Sequence, residues 1–284
     1  MGASVKTLIR LMELTEEGRL PVGADICDIG TSQISGPSAV EVARAFLKYY
    51  DERRTSGASN MSDERLNELC RGGLVGELLV EAGFTYVALD IFEAEHTIVF
   101  DLNRNSPGPD LVGKFDLVTN FGTTEHVFNQ VESFRTIHDL LKPTGVAYHD
   151  LPFAGYLYHG LFRYDSLFFD ALTAANKYTL VRKLISVGNP VSPPTELVAI
   201  GLEDVPVKDV GIEVIVQKTS NENFCVPLEM STSIAPFMQS KVDGKNVVMA
   251  VGQVNYSITH DTLGGFVLKV LRRLLSIWRG RYRT

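Results

Sequence analysis

Apolar positions change their period along this chain, and each change marks an element. Val5, Leu8, Ile9, Leu11, Met12 and Leu14 fall at helical spacing, which predicts a helix over 3–18 that stops near Gly18 and Pro21. Residues 24–30, ADICDIG, are a short apolar run closed by a glycine and predict a buried strand. Helical patterns return over 38–52 and 63–82, the second broken at Gly72-Gly73. The polar stretch between them, RRTSGASNMSDE, reads as a mobile loop. Strands are predicted at 84–90, 96–103 and 115–122, then a helix at 125–141 and a turn and strand in KPTGVAYHDLP. A helix at 165–177 and strands at 196–201 and 211–218 complete the pattern.

Strands alternating with helices predict an α/β architecture in which parallel strands are joined by right-handed crossovers. Ligands of such sheets sit at the carboxyl ends of the strands. Asp28, Asp90, Asp101, Asn120 and His149 each follow an apolar strand run and therefore fall at that edge. Asp and Asn also start turns and cap helices, but five polar residues at one edge point to a site.

Composition and charge narrow the reading. With 284 residues, 45% of them hydrophobic, the chain suits one large domain with appendages. A net charge of -7 and a pI of about 5.4 argue against nucleic acid as a partner. Cys27, Cys70 and Cys225 are odd in number and widely spaced, which excludes a disulfide scaffold and a CxxC metal site and predicts reduced thiols. Arg10, Glu13 and Glu16 break the first apolar stripe, so neither a secretion signal nor a membrane span is expected there, and Lys6 does not suit a myristoylation start at Met1-Gly2. A cytoplasmic location follows as the expectation. Gly108 to Lys114 fits the spacing of a phosphate-binding loop, but it precedes a strand and is followed by Phe115, so it reads as a surface turn.

Four segments in order resemble class I S-adenosylmethionine-dependent methyltransferases. ICDIG resembles the family's first motif, ALDI its ribose-binding segment, FDLVTNFGTTEHV its fourth-strand motif, and LLKPTGVAYHDLP its LLKPGG turn and strand. The resemblance runs from about residue 24 to about 155 and more loosely to 218. It implies a Rossmann-like, doubly wound and mostly parallel seven-stranded sheet, with a methyltransferase domain over 1–220 and an extension over 221–284. It also implies S-adenosylmethionine as cofactor and S-adenosylhomocysteine as product. Cofactor contacts carried over are Asp28, Gly30, Thr31, Ser32 and Gln33 after the first strand, Asp90 and Ile91 after the second, Asp101, Leu102 and Asn103 after the third, and Asn120, Phe121 and Gly122 after the fourth. The family's Gly-x-Gly is replaced by Gly30-Thr31-Ser32. Asp28 and Asp90 also lie much further apart than the ~20 residues of the analogous dinucleotide motif, which predicts a helical insertion within about 36–75 beside the pocket, read as a lid.

Methyl transfer to a hydroxyl needs a positioned acceptor and a route for its proton. The candidates are Glu125, His126, His149 and His159, with the last two favoured because a neutral imidazole is a natural base near neutral pH. Glu125 and His126 also read as the start of a helix, with Glu125 at its positive end, and His138 as a packed histidine. Tyr156, Tyr158, Phe162 and Tyr164 surround His159, in an aromatic cluster from Phe153 to Phe169 that reads as core or, with Gly155 and Gly160 signalling a loop, as a binding surface. Glu125, His126 and one of His149 or His159 would make only an incomplete oxygen–nitrogen site. Position 122, where some small-RNA 2′-O-methyltransferases of this superfamily have a further acid, is Gly122, and no metal is expected. The expected acceptor is a small molecule or a saccharide. Residues 264–284 carry Lys269, Arg272, Arg273, Arg279, Arg281 and Arg283 without an acid, beside an apolar stripe. That pattern predicts a basic amphipathic helix for peripheral membrane contact, a dimer contact or docking on the body, and with it a lipid-linked acceptor. Competing classes are a non-catalytic binding module of the same fold and another Rossmann-like enzyme, the latter opposed by the missing Gly-x-Gly-x-x-Gly.

Overall fold

The computed structural model describes residues 2–36, 38–55, 57–191 and 207–228, together with short strand segments at 240–242, 245–247 and 258–259. Helix α1 (Val5–Glu16) opens the chain and buries its apolar stripe as the period predicts. Strand β1 (Asp25–Ile29) follows. The segment after it contains β2 (Gln33–Ser35), α2 (Ala39–Asp51), α3 (Asp63–Leu69), β3 (Arg71–Leu74) and α4 (Val75–Glu81). Then come β4 (Thr85–Asp90), β5 (Thr97–Val99), β6 (Phe115–Asn120), α5 (Gln130–Leu140), β7 (Leu141–Ala154), α6 (Ser166–Ala175), β8 (Thr179–Val191) and β9 (Val207–Gln217).

Seven of these strands form one sheet in the order β5-β4-β1-β6-β7-β9-β8, and residues 258–259 add a short eighth strand beside β8. Strands β5, β4, β1, β6 and β7 run parallel, while β9 lies antiparallel to both β7 and β8. The expected doubly wound sheet is therefore present. Residues 264–284 lie outside the described residues, as does the strand expected at 196–201.

Alternation along the strands sends neighbouring side chains to opposite layers. Ile26, Leu117, Val146 and Tyr148 join a core with α1, α2 and α4. Cys27, Ile29, Val118 and Ala147 join a second core with α5 and α6. Burial on both faces explains why the central strands read as almost unbroken apolar runs. The insertion expected around 36–75 is part of the first core, because α2 places Phe46 and Tyr50 there with no exposed surface.

Three local expectations change. The Gly72-Gly73 break is a short strand, β3, paired antiparallel with β2 through Ile34 and Gly73. The polar stretch after α2 is pinned: Arg54 donates to the Glu81 carbonyl at 2.7 Å, and Ser59 donates its amide to Asp51 at 3.0 Å and its hydroxyl to Glu81 at 2.9 Å. Carboxylates from α2 and α4 thus hold a segment that its composition marks as loose. The helix predicted from 125 begins only at Gln130, after a single 3-10 turn over Thr124–His126, with Asn129 capping the Glu132 amide. The lookalike phosphate loop is a turn, with the Gly113 amide bound to the Asp139 carbonyl at 2.7 Å.

α1 is locked to the sheet by buried charge. Arg10 Nε donates to Glu213 Oε1 at 2.6 Å, and Lys6 Nζ lies 2.7 Å from Asp150 and 3.1 Å from Glu213. Burial raises the Glu213 pKa, but Lys6 and Arg10 outweigh it and hold the carboxyl below its ordinary 4.5. An acid with a depressed folded-state pKa contributes stability above its unfolded pKa and loses it as pH falls through the folded value. The Glu213 contribution is therefore present near neutrality and declines below about pH 4.5. Glu213→Ala leaves Arg10 and Lys6 short of a partner inside the fold and should cost about 3 kcal/mol in urea denaturation at pH 7, with a smaller cost at pH 4.

Candidate active site

The site is built where the parallel strands end. Leu89, Ile29, Asn120 and His149 stand in one register row across β4, β1, β6 and β7. β1 and β6 end at this row and β4 ends one residue later at Asp90, at the edge where the sequence places its polar residues, while β7 runs on to Ala154.

Asp28 lies one step below that row and is 1% exposed. Its Oδ1 accepts from Thr119 Oγ1 at 2.7 Å, and its Oδ2 accepts from the Ser32 amide and Tyr86 OH, each at 3.1 Å. Burial pushes its carboxyl up to about 6, against these hydrogen bonds. Asp28 therefore joins β1, β4, β6 and the following loop from inside. That differs from a side chain open to ligand.

Above it the loop passes close to the neighbouring turn. Gly30 has φ +86°, and a Cβ there would lie 2.1 Å from Thr123 Oγ1. Glycine thus answers both a left-handed backbone and a close approach. The Thr31 amide donates to Asp90 Oδ2 at 2.7 Å, and the Phe92 amide donates to Asp90 Oδ1 at 3.2 Å. The half-buried Asp90 fixes the first loop to the end of β4, with Ile91 exposed beside it. Gln33 sits in β2, also exposed, in register with Leu74. Asp101 accepts from the Asn103 amide at 2.9 Å, and Asn103 Oδ1 accepts from the Asn129 amide at 3.0 Å, tying this turn to the cap of α5. Leu102 is buried in the second core.

Asn120 and Phe121 turn inward, and Gly122 follows with φ +83°. Asn120 Nδ2 donates to Thr124 Oγ1 at 2.9 Å and lies 3.3 Å from His149 Nδ1. The Phe121 ring packs edge-on against Tyr148 at 4.9 Å. Tyr164 completes the support, donating to Gln130 Oε1 at 2.7 Å while its oxygen lies 3.0 Å from Thr124 Oγ1. Thr119, Thr123 and Thr124 lie within the FDLVTNFGTTEHV segment, but their supporting role, like that of Tyr86 and Tyr164, becomes visible only in the fold.

The four candidate bases separate. His149 is 1% exposed and packs between Phe134 and Phe169, with ring centroids at 5.7 and 5.4 Å. Burial drives its pKa down to about 3, so it is neutral and internal. The expectation that His149 meets the acceptor is corrected: strand alternation sends its side chain into the α5–α6 layer. His138 is likewise internal, at 2.6 Å from Tyr178 OH and 2.8 Å from the Glu222 carbonyl.

Glu125, His126 and His159 converge instead. Glu125 Oε1 lies 3.9 Å from His126 Nε2 and 4.0 Å from His159 Nε2, and the two imidazole rings stand edge to face at 4.9 Å. The Glu125 side chain is wholly buried, and among the described residues neither of its oxygens has a hydrogen-bond partner. Burial lifts its pKa to about 7, while burial also lowers both histidines. A loop from Gly155 to Asp165 brings His159 here. The Leu161 and Phe162 amides donate to the Glu125 carbonyl at 2.7 and 3.1 Å. Gly160, at φ +71°, passes so close that a Cβ would lie 2.8 Å from Glu125 Cγ. Phe128, Leu157, Tyr158 and Leu161 form an exposed apolar rim on these same segments.

Comparison with known proteins agrees with this architecture. Residues 69–187 match the family described as a methyltransferase domain. No curated protein matches the chain. Among solved structures, the 1,6-didemethyltoxoflavin N1-methyltransferase of Burkholderia thailandensis, with S-adenosylhomocysteine and 1,6-didemethyltoxoflavin bound, is 12% identical. The alignment covers 75% of this chain and 78% of that one at a TM-score of 0.39. A methyltransferase candidate from Bacillus halodurans is 12% identical over 76% of this chain and 100% of its own, at a TM-score of 0.47. A TehB-like S-adenosylmethionine-dependent methyltransferase from Corynebacterium glutamicum is 15% identical over 73% and 86%, at 0.39.

The loop geometry generates a direct test. Gly30→Ala meets both a forbidden φ and the Thr123 side chain, and should lower unfolding free energy by about 1–3 kcal/mol in chemical denaturation. The strand order β5-β4-β1-β6-β7-β9-β8, with a glycine turn after β1 and an acid at the end of β4, is a Rossmann-like fold, and residues 69–187 within it match a methyltransferase domain.

Proposed function

We propose that this methyltransferase transfers its methyl group to a hydroxyl oxygen of a small-molecule acceptor, of saccharide type or with another apolar face beside the hydroxyl. The observation that carries this reading is the Glu125–His126–His159 cluster, a buried carboxylate and two half-exposed imidazoles immediately beyond the Asn120–Gly122 turn. The exposed rim of Phe128, Leu157, Tyr158 and Leu161 supports an acceptor that lays an apolar surface against the protein. Lipid-linked acceptors rest on the basic stretch 264–284, which lies outside the described residues, as does any membrane or dimer contact made there. No described helix is long and apolar enough to cross a membrane.

In this reading the cofactor lies over the loop from Gly30 to Ser32, with Asp90 accepting from the ribose hydroxyls and Asp101 to Asn103 bordering the adenine. Gly122 allows close approach, and Asp28, Asn120 and Phe121 hold the floor from beneath. Bound S-adenosylmethionine supplies an electrophilic methyl on a positively charged sulfur. The chain's own residues hold the acceptor oxygen in line with that methyl and make it nucleophilic at the cluster. Transfer would break the S–CH3 bond with its electron pair left on sulfur and form the O–CH3 bond, while the hydroxyl proton passes to water.

Two measurements test this. Incubation of the full chain with S-adenosylmethionine labelled in its methyl group, against a panel of hydroxylated small molecules and glycosides, should yield acceptors carrying one labelled methyl on oxygen. Label found only on nitrogen or carbon would overturn the hydroxyl assignment. Asp90→Ala should weaken calorimetric binding of S-adenosylmethionine and S-adenosylhomocysteine by about 1.5–3 kcal/mol, more than tenfold. Unchanged affinity in the folded variant would remove Asp90 from the ribose contact.

A further inference from the structure

The ligand-bearing atoms of Glu125, His126 and His159 all lie within 4.8 Å of one another. We infer that these three side chains hold one divalent transition-metal ion at the acceptor end of the cleft. The inference rests on the proposed acceptor site and specifies how that site makes a hydroxyl nucleophilic.

Four observations converge on it. First, the Glu125 carboxyl is fully buried, yet both of its oxygens lack a hydrogen-bond partner among the described residues. A buried carboxyl is costly unless it is paired or ligated, and a cation between it and the imidazoles satisfies it. Second, His159 Nε2 is likewise buried and without a hydrogen-bond partner, at 4.0 Å from the carboxylate. Third, the fold goes to some length to bring His159 there. The Gly155–Asp165 loop carries Tyr156 at φ 46° and Tyr158 at φ 58°, uncommon for residues other than glycine, and is anchored to the Glu125 carbonyl by two amides. Two residues with left-handed backbone just before the converging histidine are strain that the surrounding structure holds in place, as at ligand clamps. Fourth, two imidazole nitrogens and one carboxylate oxygen suit zinc and its transition-metal neighbours better than magnesium or calcium.

The geometry also leaves room for chemistry. Zinc takes nitrogen and oxygen donors at about 2.0–2.2 Å, and catalytic sites keep a position open beside three protein ligands. The observed separations reach that size when the two imidazoles, 48% and 42% exposed, close slightly onto the fixed carboxylate. Because the buried ligand is at the base and the exposed ones flank it, the open position faces the exposed side of the cluster. An acceptor hydroxyl entering that position would bind through oxygen and release its proton to water, since a bound divalent ion lowers the pKa of such a group. The resulting oxyanion is the nucleophile for the sulfur-bound methyl. This reverses the expectation drawn from the sequence, in which the glycine at position 122 leaves the set incomplete. Of the two histidines the sequence offers as third ligand, the fold brings His159 to the pair and buries His149 elsewhere, and the missing acid leaves the open position.

The test uses the full chain, stripped with chelator and then titrated with Zn(II) and, for its visible spectrum, Co(II). One ion per chain is expected by elemental analysis, with the intense absorption of a low-coordinate cobalt site. His159→Ala and His126→Ala should each weaken binding by on the order of 100-fold or more, since even loss of an outer-shell partner costs 10–100-fold. Affinity for S-adenosylhomocysteine should stay within about twofold of wild type, which certifies the fold of each variant. Equal metal binding by the wild type and both folded variants, or no stoichiometric binding by the wild type, would overturn the site. Full methyl transfer by metal-free protein would overturn the ion's part in the reaction while leaving the hydroxyl assignment intact. Stoichiometric binding lost in both variants, in a protein that methylates only nitrogen or carbon, would uphold the metal site and sink the hydroxyl reading.

Discussion

The carboxylate of Asp28 holds the centre of this molecule together. It is buried, yet it accepts hydrogen bonds from Thr119 on β6, Tyr86 on β4 and the Ser32 amide of the loop that follows β1. Three parallel strands and one loop are thereby set at a common level. Everything at the carboxyl edge inherits that level. Gly30 turns under Thr123, Asp90 catches the Thr31 amide, and Asn120 pairs in register with both Ile29 and His149. A buried acid is normally expensive, and its raised pKa reports that cost. Here the cost is offset by a full set of donors, and the return is a fixed platform.

Strand alternation then divides the work between two layers. Odd and even positions of β1, β6 and β7 face different helices, so a polar residue's parity decides its fate. Asn120 and His149 fall on the α5–α6 side and become internal struts between the sheet and Phe134, Phe169 and Thr124. Residues just past the strand ends escape this rule. Asp90, the last residue of β4, and Glu125 and His126 in the 3-10 turn after β6 lie at the carboxyl edge instead. The groups proposed to act thus sit where the sheet's geometry ends, and the groups that support them sit inside it.

Long-range charge plays a parallel part on the other face. Glu213 on the antiparallel strand β9 binds Arg10 and Lys6 of α1, and Lys6 also reaches Asp150 immediately after His149. The N-terminal helix is fastened to the same two strands that frame the His159 loop. Tyr156 is held in turn by the Asp209 carboxylate, which accepts from its amide at 2.7 Å. The His159 loop is therefore braced by β7 and β9, and the Gly30 loop by β1, β4 and β6.

The amino-acid sequence by itself determined the alternation of strands and helices, the apolar stripe of α1, the parallel character of the sheet and the edge at which polar residues collect. These follow from local period and from the glycine and acid punctuation of strand ends, which are short-range properties. The ordered motifs from ICDIG to LLKPTG carried the methyltransferase resemblance for the same reason. Only the tertiary structure decided that His149 is a strut and His159 is not, that Asp28 supports the loop from inside, and that the polar stretch after α2 is pinned by Asp51 and Glu81. Only it joined Glu125 and His126 to a histidine some thirty residues on. Burial and convergence depend on which elements pack together, and no spacing along a chain encodes the distance across a fold.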